Sequence, residues 1–139
     1  MNKKYRIGYT QGTFDLFHIG HLNLLENASF QCEKLIVGVN SDDLVVSYKK
    51  RETIIKQKDR LRIISALKMV DKAIIVDTLD KTTMYEILKF DVVFIGDDWI
   101  NNQRWIQTSD DLKKIGVDVV FLPHTDGIST TMLRNKIDK

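Results

Sequence analysis

The chain has 139 residues, of which 43% are hydrophobic and 29% are charged. This length is enough for one domain with a genuine core, and we interpret residues 1–139 as a single domain. The net charge of +2 is too balanced to indicate binding to nucleic acid or to a membrane surface. Cys32 is the only cysteine, which excludes an intramolecular disulfide. No apolar run has the length of a signal peptide or membrane span, so we expect a cytoplasmic protein.

Apolar, β-branched runs alternate along the chain with segments of helical spacing. The predicted strands are residues 7–10, 34–39, 72–76, 91–95 and 117–122. The predicted helices begin near residue 22, after residues 40–43, and span 57–70, 82–89, 109–115 with Ser109 as N-cap, and 128–137. This alternation predicts a single-domain, Rossmann-like α/β fold, with about five parallel strands and helices on both faces of the sheet.

The turn after the first predicted strand contains the most informative stretch, Gly12-Thr13-Phe14-Asp15-Leu16-Phe17-His18-Ile19-Gly20-His21. A strand–turn–helix order points the free N–H groups and the positive dipole end of the helix toward the carboxyl edge of the sheet. It therefore predicts an anion site. His18 and His21 are three residues apart and lie on one face of the helix start, which indicates chemistry on a bound phosphate.

Other polar loops follow the second, fourth and fifth predicted strands. Residues 48–53 contain three consecutive cations, which we interpret either as a solvated run or as a loop over a triphosphate. Residues 96–99 and 127–131 follow the other two strands, and Ser129 opens the final helix. Because parallel strands end at the same sheet edge, we expect the loops at Gly12, Gly96 and Gly127 to lie together.

The decapeptide resembles the GTFD-x-x-H-x-G-H signature of the cytidylyltransferase branch of the nucleotidyltransferases, a resemblance extended by Gly96-Asp97-Asp98-Trp99 and Gly127-Ile128-Ser129-Thr130-Thr131. Within that branch the chain is most similar to the bacterial glycerol-3-phosphate cytidylyltransferases. The resemblance implies transfer of a cytidylyl group from CTP to a small phosphorylated alcohol, above all sn-glycerol 3-phosphate. The products would be pyrophosphate and CDP-glycerol, a precursor of teichoic acid or a related polymer. It also implies a homodimer and Mg²⁺ accompanying the triphosphate.

The resemblance implies three sets of site residues and no protein ligand to a metal. Catalytic roles are expected for His18, His21, Thr13, Lys50 and Arg60. Nucleotide contacts are expected from Gly12, Thr13, Phe14, Asp15, His18, His21, Asp98, Gly127, Ile128, Ser129 and Thr130. Acceptor contacts are expected from Lys49, Lys68, His124 and Asp15. For Asp15, a structural role in orienting the loop or a histidine is an equal alternative.

Two departures from the family pattern bear on the acceptor. His124 and Lys68 stand where relatives carry arginine, and neither can clamp a phosphate with the bidentate geometry of a guanidinium. Phosphoethanolamine, phosphocholine or another polyol phosphate are therefore alternative acceptors. An adenylyltransferase of the same superfamily and a nucleotide-sensing module without turnover are further alternatives.

Overall fold

The computed structural model describes residues 3–137. Its strands are β1 (Tyr5–Gly12), β2 (Cys32–Asn40), β3 (Lys72–Val76), β4 (Val92–Gly96) and β5 (Asp118–Leu122). They form one parallel sheet in the order β3-β2-β1-β4-β5, which confirms the predicted fold class and all five strands. The carboxyl ends are level, with Gly12 opposite Val39 and Gly96 opposite Leu122.

Helices cover both faces of this sheet. They are α1 (Ile19–Ser29), α2 (Asp42–Lys49), α3 (Gln57–Ser65), α4 (Lys81–Leu88), α5 (Gln103–Lys114) and α6 (Thr130–Ile137). A single 3₁₀ turn, Asp97–Trp99, follows β4. Leu25 of α1 and Ile64 of α3 belong to the core on one face, whereas Met84 of α4 and Leu112 of α5 belong to the core on the other.

Three sequence predictions about helix bounds are wrong. The helix predicted over 57–70 ends at Ser65, because the Ala66 N–H is shared between carbonyls three and four residues back, which tightens the last turn. The helix predicted to begin at Ser109 begins at Gln103, where the Asn102 side chain accepts the Trp105 N–H at 3.3 Å. Residues 48 and 49, predicted as loop, are the last residues of α2.

The sole cysteine lies at the start of β2, inside the core. Cys32 is 1% exposed, and burial raises the pKa of its thiol to about 11. A side chain at Gly8 would have its Cβ 2.8 Å from Cys32 Sγ and 2.6 Å from the ring of Phe94. Gly8 is therefore needed for the close packing of β1 against the thiol.

Candidate active site

A cleft runs along the carboxyl edge of the sheet, above the ends of β1 and β4. These neighbouring strands are where the sheet order reverses, the place where open α/β sheets bind ligands. The cleft has a β5 lobe of about 520 Å³ and a β2 lobe of about 220 Å³, joined by residues 11–14, His21 and Trp99. Gly12, Gly96 and Gly127 all line the β5 lobe, which confirms that their loops share one edge.

The turn after β1 has an unusual backbone. Phe14 and Leu16 have φ angles of 55° and 50°, a left-handed conformation that few non-glycine residues adopt. Phe14 is 6% exposed, and its ring lies edge-on to His21 with centroids 5.4 Å apart. The turn therefore packs the Phe14 ring against His21, which lines both lobes.

Two backbone hydrogen bonds fix the tautomers of the paired histidines. His18 caps α1, its Nδ1 accepting the Gly20 N–H at 3.0 Å, and His21 Nδ1 accepts the His18 N–H at 3.2 Å. Because each Nδ1 is an acceptor, each neutral ring carries its proton on Nε2. His18 Nε2 is buried without a partner among the described residues. A buried donor of this kind is satisfied when an acceptor oxygen binds in the cleft.

The surroundings keep both rings neutral. Burial lowers the pKa of His18, and burial followed by repulsion from His18 lowers the pKa of His21 to about 3. The rings stack with centroids 3.8 Å apart, an arrangement that two imidazolium ions would oppose. A Cβ at Gly20 would lie 2.8 Å from the His18 ring, so glycine is needed for the cap. The pair therefore presents neutral N–H donors.

A chain of polar side chains joins the ends of β1 and β2. Thr13 Oγ1 and Tyr48 OH are 3.1 Å apart, and Asn40 Nδ2 donates to that hydroxyl at 3.2 Å. Gln11 Nε2 donates to Asn40 Oδ1 at 2.9 Å. Thr13 lines both lobes, and its contact with the phosphates stays a prediction. The contributions of Gln11, Asn40 and Tyr48 were not predicted, although Gln11 and Asn40 follow expected strands and Tyr48 opens an expected loop.

The β5–α6 loop forms the far wall of the β5 lobe. Gly127 has φ +80°, and Ser129 Oγ accepts the Met132 N–H at 3.1 Å as the cap of α6. Thr130 Oγ1 donates to the Asp15 carbonyl at 2.8 Å, which ties α6 to the turn after β1. Ile128 lies 3.7 Å from the Cβ position of Gly20, so the two helix starts face one lobe.

Asp15 is enclosed rather than open to a ligand. It is 2% exposed, its carboxylate accepts the N–H groups of Ile54 and Ile55 at 2.8 and 2.9 Å, and it pairs with Arg134 at 2.9 Å. This arrangement matches the structural alternative for Asp15. Its oxygens already have protein donors, which counts against direct contacts with nucleotide and acceptor, and those contacts stay a prediction.

Arg60 does not reach the cleft, which corrects its predicted catalytic role. Its side chain is fully buried, and it donates to the carbonyls of Ile55, Thr13 and Asn40 and to the Asp42 carboxylate at 2.7–2.8 Å. These bonds hold the Thr13 turn against the end of β2. Arg60 therefore stabilises the backbone around the site through buried hydrogen bonds.

The predicted lysines are placed differently from one another. Lys49 lines the β2 lobe, as expected for an acceptor contact. Lys50 is the left-handed C-cap of α2 and its Nζ donates to the Ser47 carbonyl, so its predicted catalytic contact is not supported. Lys68 is exposed after α3 and lines neither lobe, which corrects its predicted acceptor contact.

His124 lies at the mouth of the β5 lobe between carboxylates. Its Nδ1 contacts Asp97 and its Nε2 lies 3.0 Å from Asp126. The hydrogen bond to Asp97 raises the pKa of His124 and lowers that of Asp97. Two carboxylates beside the ring oppose a phosphate and count against the predicted acceptor contact of His124, which stays a prediction. Asp98, from the same 3₁₀ turn, lines the β5 lobe, and its nucleotide contact stays a prediction.

Two cations of the β2 lobe, one buried and one partly buried, were not predicted from the sequence. Lys81 is 7% exposed, its Nζ donates to the Leu79 carbonyl at 2.8 Å and lies 5.2 Å from the Trp105 ring centre. Burial lowers the pKa of Lys81 to about 8. Arg134 reaches the lobe from α6. Neither position carries a local motif, since only the fold brings α4 and α6 to the cleft.

The part of the chain from residue 3 to 137 contains no group of three His, Cys, Asp or Glu side chains arranged as metal ligands. Over the same residues, no helix has both the length and the apolar character needed to cross a membrane.

The carboxyl edge of this sheet, with two neutral N–H donors beside a helix start, has the features of an anion site in an open α/β fold. The sequence pattern of the family described as cytidylyltransferase-like matches residues 9–136. The chain belongs to the cytidylyltransferase-like family, as its motifs predicted.

Relatives of two kinds resemble the chain. Glycerol-3-phosphate cytidylyltransferase of Bacillus spizizenii is 35% identical over 127 residues, which are 90% of this chain and 92% of the relative. Bifunctional protein HldE of Hyphomonas neptunium is 35% identical over 129 residues, and the matched part is 26% of its length. The chain thus spans about a quarter of the length of the HldE relatives it matches.

A solved structure shares the fold over nearly its whole length. The lipopolysaccharide core biosynthesis protein of Thermoplasma volcanium aligns with a TM-score of 0.76 and 26% identity, over 88% of this chain and 99% of the other.

Proposed function

We propose that the protein transfers the cytidylyl group of CTP to glycerol 3-phosphate, giving CDP-glycerol and pyrophosphate. The observation that carries this proposal is the pair of neutral Nε2–H donors on His18, which lines the β5 lobe, and His21, which lines both lobes. The similarity to the full-length Bacillus spizizenii relative, which is named for this activity, supports the choice of substrates.

We assign one substrate to each lobe. The β5 lobe, at about 520 Å³, has the size of a small-molecule site and takes the nucleotide, with its phosphates directed toward the starts of α1 and α6. The β2 lobe, at about 220 Å³, takes the smaller acceptor. The phosphorus atom under attack then lies near His21 and Thr13, which border both lobes.

The reaction needs no protein nucleophile. A phosphate oxygen of the acceptor bonds to the α-phosphorus of CTP, and the bond to the bridging oxygen breaks, so that the electron pair leaves with pyrophosphate. Negative charge on the transferred group is stabilised by the Nε2–H donors of His18 and His21 and by the helix N-termini. Since the donors are held in place before the substrate arrives, little reorganisation is needed.

The charge of the β2 lobe favours a polyol phosphate over an amino alcohol phosphate. Five cationic side chains line this lobe, namely Lys49, Arg51, Lys81, Arg104 and Arg134. The lining carboxylates are Asp15, already paired with Arg134, and Glu52. An ammonium group in this lobe would meet net positive charge, whereas the phosphate and hydroxyl groups of glycerol 3-phosphate would not.

Three further properties belong to the same proposal. Mg²⁺ fits as a companion of the triphosphate, because it commonly takes phosphate oxygens with one or two carboxylates, and Asp98 lines the β5 lobe. When bound, it would neutralise triphosphate charge. We further propose a cytoplasmic homodimer. The metal is tested by magnetic resonance titration with Mn²⁺ in place of Mg²⁺. Light scattering tests the dimer, and cell fractionation tests the location.

The deciding experiment supplies CTP or ATP with glycerol 3-phosphate, phosphoethanolamine, phosphocholine or ribitol 5-phosphate. Pyrophosphate release and chromatography of the product identify the active pair. We expect CDP-glycerol to form fastest. Faster turnover with ATP, or with an amino alcohol phosphate, would overturn the proposed substrates, and no turnover with any pair would favour the non-catalytic alternative.

A further inference from the structure

Arg134 connects the final helix to the loop between α2 and α3, residues 50–56. Its Nη1 pairs with Asp15 Oδ2 at 2.9 Å, and its Nη2 donates to the Glu52 carbonyl at 2.8 Å. The side chain is 16% exposed, while that of Asp15 is 2% exposed. The guanidinium therefore spans two segments with one planar group, which a lysine cannot do.

Asp15 is the point at which three segments of the chain meet. Its carboxylate accepts the N–H groups of Ile54 and Ile55, and its carbonyl accepts the hydroxyl of Thr130. The turn after β1, the α2–α3 loop and the start of α6 are thus fixed by one residue. Without Arg134, that buried carboxylate would lose its cation, and its hold on the loop would weaken.

The α2–α3 loop carries charge that the cleft uses. Arg51 belongs to the loop and Lys49 immediately precedes it, and both line the β2 lobe. Arg51 lies between the helical C-cap at Lys50 and the anchored carbonyl of Glu52. A shift of the anchor would therefore displace the Arg51 side chain relative to the lobe.

We propose that Arg134 is a positioning residue, which sets the α2–α3 loop over the β2 lobe by bridging Asp15 and Glu52. This inference rests on the proposed function, because only a phosphorylated acceptor in the β2 lobe would bring its phosphate to the loop cations. Arg134 is distinguished from a direct phosphate ligand by its geometry, because both terminal nitrogens already have protein acceptors.

The test compares Arg134→Met and Arg134→Lys with a matched control, Lys136→Met, at an exposed position on the same helix. Amide hydrogen exchange at Ile54 and Ile55 is measured without ligand, and kcat and KM are measured for CTP and glycerol 3-phosphate. All measurements use a temperature at which every variant is folded, as verified by circular dichroism.

We expect Arg134→Met to accelerate exchange at both amides and to raise the acceptor KM by about tenfold or more, the size expected when a charge-assisted hydrogen bond is lost. The CTP KM should change much less. Arg134→Lys keeps the charge beside Asp15 but cannot also reach Glu52, so it should give intermediate values and remains informative if the methionine variant fails to fold.

Two results would overturn this role. A raised acceptor KM with unchanged exchange would make Arg134 a direct ligand, and accelerated exchange with unchanged kinetics would make it structural only. If the wild-type protein forms no CDP-glycerol, the proposed function fails, while exchange at Ile54 and Ile55 still decides whether Arg134 holds the loop.

Discussion

Replacing His18 with asparagine separates the helix-capping role of this imidazole from its proposed catalytic role. His18 Nδ1 accepts the Gly20 N–H as the cap of α1, and its Nε2 is buried without a partner among the described residues, in a side chain that lines the β5 lobe. Asparagine is a favourable N-cap whose side-chain oxygen can accept the same N–H, but its shorter side chain has no donor at the Nε2 position. The variant therefore removes the donor that we propose to be catalytic and keeps the cap.

The expected effects differ in size and in kind. Loss of one preorganised donor to transition-state charge costs about 2.7–4 kcal/mol, so kcat for His18→Asn should fall by about 100- to 1000-fold. Its free energy of unfolding should change by no more than about 0.5 kcal/mol, because the cap remains. His18→Ala should show the same fall in kcat and an additional loss of about 1 kcal/mol of stability.

Single-turnover pyrophosphate release at saturating CTP measures the chemical step, and urea unfolding measures stability. Comparing the asparagine and alanine variants removes the effect of capping from the kinetic difference. Near-wild-type turnover in folded His18→Asn protein would refute the assignment of Nε2 as a catalytic donor and would leave His18 as a helix cap alone.

Four other perturbations follow from the site. Arg60→Met should lower the free energy of unfolding by about 3–5 kcal/mol, because it leaves Asp42 and three carbonyls without their donor; a small change in urea unfolding with a large loss of turnover would contradict this. Lys81→Met should raise the acceptor KM. In the wild type that KM should rise as pH increases through about 8, where Lys81 loses its proton. An identical pH profile of the acceptor KM in both proteins would exclude Lys81 as the cause. The folded-state pKa of His21 lies below its unfolded value, so the contribution of the neutral ring to the free energy of unfolding is complete above about pH 6.5. Below that pH the free energy of unfolding should fall by roughly 1.4 kcal/mol per pH unit. Urea unfolding should show a smaller slope in His21→Gln. His124→Gln should leave the acceptor KM unchanged, since Asp97 and Asp126 flank the ring. A rise in the acceptor KM would instead support a contact between His124 and the acceptor phosphate.

Periodicity and motif position were sufficient to predict the sheet and the centre of the cleft. Parallel strands end at one edge, so the turn at Gly12 and the loops at Gly96 and Gly127 had to meet there. The direction of long side chains could not be read in the same way. Arg60 is drawn inward by the carbonyls of three separate segments, and those contacts exist only once the chain has folded.

The residues missed by the sequence prediction have the same physical origin. Arg134 lies 119 positions from Asp15, and no local pattern marks either partner as belonging to an ion pair. Lys81 follows a capping aspartate and has the appearance of an ordinary surface lysine at a helix start, but packing against Trp105 encloses it. Such contacts depend on tertiary structure, which composition and spacing do not encode.

The enclosed thiol at the start of β2 has a practical consequence for experiments that follow the cleft. With its pKa raised to about 11 and 1% of its surface exposed, Cys32 is a poor nucleophile toward maleimide reagents near neutral pH. Since it is the only cysteine, a second one introduced at an exposed loop position would carry a fluorophore or spin label at a single site. Labelling at Cys32 would thus contribute little to the signal of a spectroscopic probe attached to the loop between α2 and α3.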